Sequence, residues 1–230
     1  VIGDRKTDME LAKKLTLKGI QIDPYRVGAW KSIENDILSV DRRSKIVRET
    51  NETKINAEIN LAVSKPVNID TGIGFFDHML EQLAKHSDTS IIIQCHGDLN
   101  IDEHHSVEDI ALTLGQAFRQ ALGKKYGINR YGFTLPMDES IASVTLDLSG
   151  RPHFSFKGHF SREKVGGLPT ELIPHFFQSL SQSLKASIHI EVNGDDNHHM
   201  IEACFKAFGR AFNQAISLTG NSLPTTKGVL

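Results

Sequence analysis

The chain contains an internal duplication, and this repetition limits the possible folds more than any other feature of its 230 residues. Residues 98–108, DLNIDEHHSVE, are echoed by residues 195–202, DDNHHMIE, and both segments continue with the apolar period of an amphipathic helix. Upstream, GFFDHMLEQL at 74–83 aligns with ELIPHFFQSL at 171–180. The sequence therefore predicts two copies of one structural unit.

A third pair of matching segments extends the repeat. ETKINAEINL at 52–61 aligns with ESIASVTLDL at 139–148, and both alternate polar and apolar residues as half-buried strands do. Each half then has the order strands, helix, strand, helix. This order predicts a duplicated α+β fold.

The repeat also suggests boundaries. We place the first half-repeat at 43–129, the second at 130–220 and a C-terminal extended arm at 221–230. HFSREKVGGLP, at 159–169, is an insertion in the second half, and its glycines and proline predict a loop. Residues 1–42 lie outside the duplication, although DMELAKKLTLKG within them predicts an amphipathic helix.

Composition excludes several classes of protein. With 28 acidic and 26 basic residues, the chain has no global positive field that would attract nucleic acid or an anionic membrane. No apolar run approaches the ~18 residues of a membrane span, and the N-terminus does not resemble a signal peptide. Cys95 and Cys204 lie within apolar runs, which favours buried thiols in a reducing compartment. We expect a cytoplasmic protein without a nucleic-acid or membrane partner.

The strongest chemical signal is the motif HHxxE, which occurs twice. Its copies are His104, His105 and Glu108, and His198, His199 and Glu202. On a helix, residues three or four apart share a face, so an imidazole and the carboxylate can grip one metal ion. Neighbouring histidines point about 100° apart on a helix, so each pair suits two ions, or an ion and a substrate, better than one ion.

Matched histidines upstream, His78 and His175, raise the number of candidate ligands to eight. All are nitrogen or oxygen donors, which suits Mn²⁺, Fe²⁺, Co²⁺ or Zn²⁺ without choosing among them. We expect the remaining histidines in both halves to be exposed or hydrogen-bonded. These are His86, His96, His153, His159 and His189. From spacing alone, the pairs Glu52/Glu139 and Asp98/Asp195 are interpreted as polar residues at strand ends and turns.

Several of these segments together resemble the imidazoleglycerol-phosphate dehydratase family of histidine biosynthesis. They are GIGFFDHMLEQLAKH, DLNIDEHHSVEDIALTLGQAF, RYGFTLPMDESIASVTLDLSGRP, HFFQSL, NGDDNHHMIEACFKAFGRAF and KGVL. They occur in order over roughly residues 42–230.

The resemblance implies a fold in which each half is a four-stranded sheet backed by helices, similar to ribosomal protein S5 domain 2. It implies two Mn²⁺ per active site and a 24-subunit homo-oligomer whose sites are shared between subunits. The implied reaction is dehydration of D-erythro-imidazole-glycerol phosphate to imidazole-acetol phosphate and water. It would proceed through a metal-bound imidazolate and a diazafulvene-like intermediate.

The resemblance also implies roles for individual residues. The implied metal ligands are His78, His104, His105, Glu108, His175, His198, His199 and Glu202. The implied phosphate-binding residues are Arg130, Arg151, Lys206, Thr225 and Lys227. Glu52 matches the carboxylate that we expect to act as the base. Thr225 stands where the family usually has serine, and it keeps the hydroxyl group.

The N-terminal segment VIGDRKTDMELAKKL resembles the last acidic motif of haloacid-dehalogenase-type phosphatases, such as histidinol-phosphate phosphatase. In that resemblance Asp4 and Asp8 would help to hold Mg²⁺. The nucleophile motif DxD of these enzymes occurs nowhere in the 230 residues. We therefore expect residues 1–42 to be the remnant of an upstream phosphatase domain.

Three other functions remain open on the residues alone. A dinuclear metallohydrolase would use the same ligands around a bridging hydroxide. A metal-storing shell protein would bind ions without turnover. Residual phosphatase activity is disfavoured because the nucleophile motif is missing.

Overall fold

The computed structural model describes residues 1–17, 19–23, 25, 30, 42–132 and 135–228. The chain divides into two compact units, Val1–Asp41 and Arg42–Leu230. Among the described residues, no helix combines the length and the apolar character that crossing a membrane requires.

The first unit contains a small β-α-β element. Strand β1 (Ile2–Gly3) pairs in parallel with β2 (Ile20–Gln21), and helix α1 (Lys6–Lys14) lies between them in sequence. The predicted amphipathic helix is thus confirmed. The Asp8 carboxylate accepts a hydrogen bond from the backbone N–H of Arg5, at 3.1 Å, and so caps the start of α1.

The first half-repeat forms a four-stranded sheet covered by two helices. Its elements are β3 (Arg43–Glu49), β4 (Thr53–Asn60), β5 (Val67–Asp70), α2 (Gly74–Ser87), β6 (Ser90–Gly97) and α3 (His104–Leu122). The strand order is β3-β4-β6-β5, and only β5 and β6 are parallel. In β4, Ile55, Ala57 and Ile59 are buried while the residues between them are more exposed, as the alternation predicted.

The second half-repeat has the same topology. Its elements are β7 (Tyr131–Gly132), β8 (Leu135–Met137), β9 (Ser140–Asp147), β10 (His153–Lys157), α4 (Leu172–Leu184), β13 (Ser187–Asn193) and α5 (Asn197–Ile216). Strands β7 and β8 both pair with β9, so together they occupy the edge that β3 holds in the first half. The order is then β7/β8-β9-β13-β10, with β10 and β13 parallel. The predicted duplicated α+β fold is confirmed, and the described residues of this edge form two segments, β7 and β8.

The helices pair across the two halves. Helix α3 packs on α4, and α2 packs on α5. A glycine lies at each contact, because a β-carbon on Gly115 would lie 2.8 Å from Cβ of Ser183, and one on Gly209 would lie 2.9 Å from Cβ of His86. Buried side chains of both halves form one hydrophobic core. The helix contacts thus join the two repeats.

The insertion at 159–169 differs from the predicted loop because it contains a short hairpin. Strand β11 (Lys164–Val165) pairs with β12 (Leu168–Pro169) through Gly166 and Gly167, which both have positive φ angles. Glycine permits this tight turn. Val165 and Leu168 are buried, so the hairpin has its own apolar anchor.

Both cysteines are buried free thiols, as predicted. Burial raises the pKa of Cys95 to about 11. The pKa of Cys204 is raised further for the same reason.

Candidate metal centre

The first group of candidate ligands combines both halves of the chain. His104 and Glu108 lie one turn apart at the start of α3, and His175 lies in the first turns of α4. Nε2 of His104 is 3.2 Å from Oε2 of Glu108, and Nε2 of His175 is 3.0 Å from the same oxygen. All three residues are partly buried. We call this group the first triplet.

The second triplet repeats this arrangement with the halves exchanged. His78 comes from α2, while His198 and Glu202 come from α5. Nε2 of His198 is 3.4 Å from Oε2 of Glu202, and the donor atoms of all three residues lie within 4.8 Å of one another. Each triplet thus offers two imidazoles and one carboxylate.

The donor atoms fit a divalent cation. Donors about 2.1 Å from one ion lie about 3.0 to 3.4 Å apart in octahedral or tetrahedral geometry. The nitrogen–oxygen distances of 3.0, 3.2 and 3.4 Å within the triplets agree with that requirement. Mixed imidazole and carboxylate donors suit first-row transition metals.

Glu202 differs from Glu108 in its surroundings. Only 10% of its side chain is exposed, and its Oε1 accepts from Nζ of Lys206 at 2.6 Å. Burial by itself would raise the pKa of Glu202, but the hydrogen bond and charge of Lys206, together with the charges of His78 and His198, leave the pKa lowered. Glu202 is therefore an ionised carboxylate shared with an ammonium group.

The second histidine of each HH pair points away from the triplet on its own helix. The ring planes of His104 and His105 differ by 83°, and those of His198 and His199 by 90°. Nδ1 of His105 is 3.1 Å from both oxygens of Asp98, whereas Nδ1 of His199 is 3.0 Å from both oxygens of Glu139.

These contacts change the basicity of both rings. The hydrogen bond to Asp98 is the main cause of a raised pKa at His105, and the bond to Glu139 has the same effect at His199. In each case a neighbouring carboxylate favours the imidazolium form. Both rings must lose their proton before they can bind a metal ion.

The repeat-related residues Glu52 and Glu139 are placed differently. Oε1 of Glu52 lies 3.6 Å from Nε2 of His105, and 51% of the Glu52 side chain is exposed. Glu139 accepts hydrogen bonds from His199 and from the Ser140 hydroxyl, the latter at 3.1 Å. The bond from His199 is the main cause of a lowered pKa at Glu139. Of the two carboxylates, Glu52 therefore makes the weaker contacts with neighbouring side chains.

Two further acids were not singled out by the sequence as parts of the site. Asp98 holds His105, and Asp138 lies with Glu139 and His199 in a third group of possible metal donors. The sequence interpretation of Asp98 as a turn residue missed this contact. In the sequence, the only signal for this contact was the position of Asp98 directly after β6. Its repeat-mate Asp195 gave no support, because Asp195 is exposed and the adjacent Asp196 caps α5.

A separate cavity of about 810 Å³ contains four of the five expected phosphate-binding residues. They are Arg130, Arg151, Thr225 and Lys227. Arg130 donates to both oxygens of Asp147, at 2.6 and 3.0 Å, and to the carbonyl of Pro224 at 3.0 Å. The hydrogen bond with Asp147 is the main cause of a raised pKa at Arg130. Arg130 thereby holds the C-terminal segment beside this cationic cavity.

Lys206, the fifth expected phosphate-binding residue, lies with the second triplet instead. The backbone N–H of Arg130 donates to the carbonyl of Ala215, at 2.9 Å, and Lys206 lies nine residues earlier on the same helix. Nine residues correspond to about 13 Å of helix. Within one chain, Lys206 is therefore not among the residues that line the cavity.

The remaining histidines follow the expectation with one exception. His96, His153, His159 and His189 are exposed. His86 is partly buried, and its Nδ1 atom has no hydrogen-bond partner among the described residues. Burial, followed by the charges of Arg210 and Lys206, lowers the pKa of His86. The ring therefore favours the neutral form.

The chain is similar to known proteins of histidine biosynthesis. It is 50% identical, over its full length, to the histidine biosynthesis bifunctional protein HisB of Stenotrophomonas maltophilia. It is 53% identical over its full length to the protein of the same name from Legionella pneumophila. The chain spans about 65% of the length of these two relatives.

Solved structures give a similar result. The imidazoleglycerol-phosphate dehydratase of Staphylococcus aureus is 38% identical, with a TM-score of 0.70 over 77% of this chain and 99% of that protein. The enzyme from Pyrococcus furiosus, in complex with (S)-C348, is 34% identical, with a TM-score of 0.69 over 80% of this chain and 100% of that protein. The sequence profile described as imidazoleglycerol-phosphate dehydratase matches residues 71–212, more than half of the chain. The chain therefore belongs to the imidazoleglycerol-phosphate dehydratase family.

Proposed function

We propose that the chain converts D-erythro-imidazole-glycerol phosphate into imidazole-acetol phosphate and water, with two Mn²⁺ per active site. The observation that carries this proposal is the pair of triplets. Each contains two imidazoles and one carboxylate drawn from both half-repeats, with donor atoms within 4.8 Å. A duplicated dehydratase that holds two cations around one substrate needs two such groups.

The eight candidate ligands fall into two sets under this proposal. His104, Glu108 and His175 would hold one cation, and His78, His198 and Glu202 would hold the other. When bound, the cations would act as Lewis acids that stabilise negative charge on the substrate's imidazole ring. His105 and His199 project elsewhere, and we infer that they complete the coordination of cations held by neighbouring copies.

The protein's own groups would bind the substrate and move its proton. Arg130, Arg151, Thr225 and Lys227 would hold the phosphate, since guanidinium, ammonium and hydroxyl groups all donate to phosphate oxygens. This remote binding would orient the carbon chain. Glu52 would take the proton from C2 after the hydroxyl on C3 has been expelled, so that the elements of water are lost. Its exposed carboxylate is free to face a substrate, unlike that of Glu139.

The separation of Lys206 from the phosphate cavity supports assembly. Because Lys206 is not among the residues that line the phosphate cavity of its own chain, we infer that Lys206 contacts the phosphate held by a second copy. We infer a homo-oligomer, of 24 subunits as the family resemblance implies, with sites completed at subunit contacts.

The proposal also assigns the segments of the chain. Residues 43–129 and 130–220 are the two half-repeats, and 221–230 is the C-terminal arm, of which Pro224, Thr225 and Lys227 line the phosphate cavity. Residues 1–42 would be a phosphatase-type segment, as their resemblance implies. Asp4 and Asp8 are absent from the metal-donor groups found among the described residues, and Asp8 caps α1.

The test is a direct assay of the full chain. Purified protein with Mn²⁺ is incubated with imidazole glycerol phosphate, and the enolisable ketone is measured in alkali. We expect turnover that His175→Asn abolishes, while the matched control His96→Asn, an exposed strand residue, retains it. Hydrolysis of p-nitrophenyl phosphate without ketone formation would instead favour a metallohydrolase. Metal binding without either reaction would favour a storage protein.

A further inference from the structure

The two triplets differ at one repeat-related position. Lys206 lies four residues after Glu202, and Leu112 lies four residues after Glu108. Nζ of Lys206 is 2.6 Å from Oε1 of Glu202, and the two side chains are only 19% and 10% exposed. The duplication therefore preserved the ligands, but at this position an ammonium group accompanies Glu202 and a leucine accompanies Glu108.

Because of this ion pair, the two carboxylate oxygens of Glu202 have different partners. Oε1 accepts from Lys206, while Oε2 faces Nε2 of His198 at 3.4 Å. In the first triplet, by contrast, Oε2 of Glu108 meets both His104 and His175, at 3.2 and 3.0 Å. A cation in the second triplet would thus share its carboxylate with another positive charge in a poorly solvated position.

The charge of Lys206 makes the two triplets differ in their affinity for a divalent cation. An ammonium group on the same carboxylate repels an incoming divalent cation and withdraws part of the negative charge that would attract it. The repulsion is weakly screened because both partners are mostly buried. Repeat-equivalent Leu112 carries no charge, so the first triplet has no corresponding penalty.

We propose that Lys206 makes the triplet of His78, His198 and Glu202 the weaker of the two cation sites and makes its occupancy respond to bound phosphate. The inference rests on the proposed function, in which Lys206 contacts the substrate phosphate. A phosphate monoester dianion near Lys206 offsets the ammonium charge and draws it from Glu202. Because coupling between two ligands is reciprocal, the cation must strengthen phosphate binding by the same factor.

The experiment measures cation release from the loaded, full-length protein. Mn²⁺ is withdrawn with increasing chelator, and free Mn²⁺ is followed by electron paramagnetic resonance, with and without glycerol phosphate as the probe. We expect release in two equal steps. Glycerol phosphate should shift the earlier step to roughly tenfold higher chelator, which corresponds to about 1.4 kcal/mol of coupling.

Three variants separate charge from packing. Lys206→Met removes the charge at similar length, so the two steps should merge and the response to glycerol phosphate should disappear. Lys206→Arg keeps the charge and should retain two steps. Leu112→Lys places an ammonium group beside Glu108 and should shift the later step towards easier release. Circular dichroism of each variant checks folding.

Two results would overturn the inference. One is a Lys206→Met protein that releases Mn²⁺ in the same two steps as the unmodified chain. The other is an unchanged phosphate response in that variant. The dehydration assay on the same samples separates the two proposals. Turnover with one release step contradicts only this inference, whereas two phosphate-sensitive steps without turnover support it and count against the proposed reaction.

Discussion

Replacing Glu52 with glutamine tests the proposed proton transfer most directly. Glutamine keeps the shape and a hydrogen-bonding head but has no basic oxygen. Loss of a general base typically reduces the rate ~10²- to 10⁴-fold, which corresponds to about 3 to 5 kcal/mol of transition-state stabilisation. We therefore expect kcat with imidazole glycerol phosphate to fall by that factor.

The structure also predicts what the substitution leaves unchanged. The Glu52 side chain is 51% exposed, and its distance of 3.6 Å from Nε2 of His105 is long for a hydrogen bond. A change at such a position usually alters the free energy of unfolding by only about 0.5 kcal/mol. Both triplets and the phosphate cavity lack Glu52. Mn²⁺ content and KM should therefore stay close to their original values.

The repeat-mate provides the matched control. Glu139→Gln breaks a contact in which both carboxylate oxygens lie 3.0 Å from Nδ1 of His199. We expect this change to misorient His199 and to lower Mn²⁺ content, measured by atomic emission, along with activity. A fully active Glu52→Gln enzyme, beside a Glu139→Gln enzyme that is inactive but keeps its metal, would show that the other half supplies the base.

Other perturbations test the metal sites and the helix contacts. Treatment with EDTA should reduce the mass of the assembly, and added Mn²⁺ should restore it, because shared ligands hold copies together; an unchanged mass in light scattering contradicts sharing. Since the pKa values of His105 and His199 are raised, protons compete with Mn²⁺ already above the ordinary histidine pKa of about 6.5. Activity should thus fall as pH decreases through neutrality, and excess Mn²⁺ should partly restore it. A pH profile that added Mn²⁺ leaves unchanged would show that another titrating group limits activity. Gly115→Ala should lower the free energy of unfolding by about 1 to 3 kcal/mol in urea denaturation, because its β-carbon would lie 2.8 Å from that of Ser183. Gly74→Ala, where a β-carbon meets nothing within 4 Å, should be close to neutral, and equal losses would refute the packing argument.

Sequence reasoning predicted the duplication because strand and helix periods, together with the repeated HHxxE motif, are local properties of the chain. It also predicted that His104 and Glu108 share a helix face, since residues four apart must do so. It could not derive from spacing that α3 packs on α4, which brings in His175. The partner of a helix face depends on tertiary packing and on close approach at residues such as Gly115.

Local sequence patterns also could not predict that the second histidines of the two HH pairs have different partners. A spacing of seven residues joins Asp98 to His105, but the corresponding partner of His199 is Glu139, sixty residues away. Repeat symmetry would have proposed Asp195 instead. The hairpin at 164–169 was missed for a different reason, because two-residue strands carry too short an alternation to be detected.

The packing of the helices of each half on those of the other half has a consequence for how such a chain could arise. Helices α2 and α4 occupy equivalent positions in the two repeats, and so do α3 and α5. The contact of α2 with α5 is therefore equivalent to the contact of α4 with α3. A gene that encoded one half-repeat would therefore specify a polypeptide unable to form either triplet alone, yet two such polypeptides could form both through one isologous contact. Metal capture would have required self-association before the halves were fused. Fusion of the halves would make the partner permanent and let the two sites diverge, as they differ at Lys206 and Leu112.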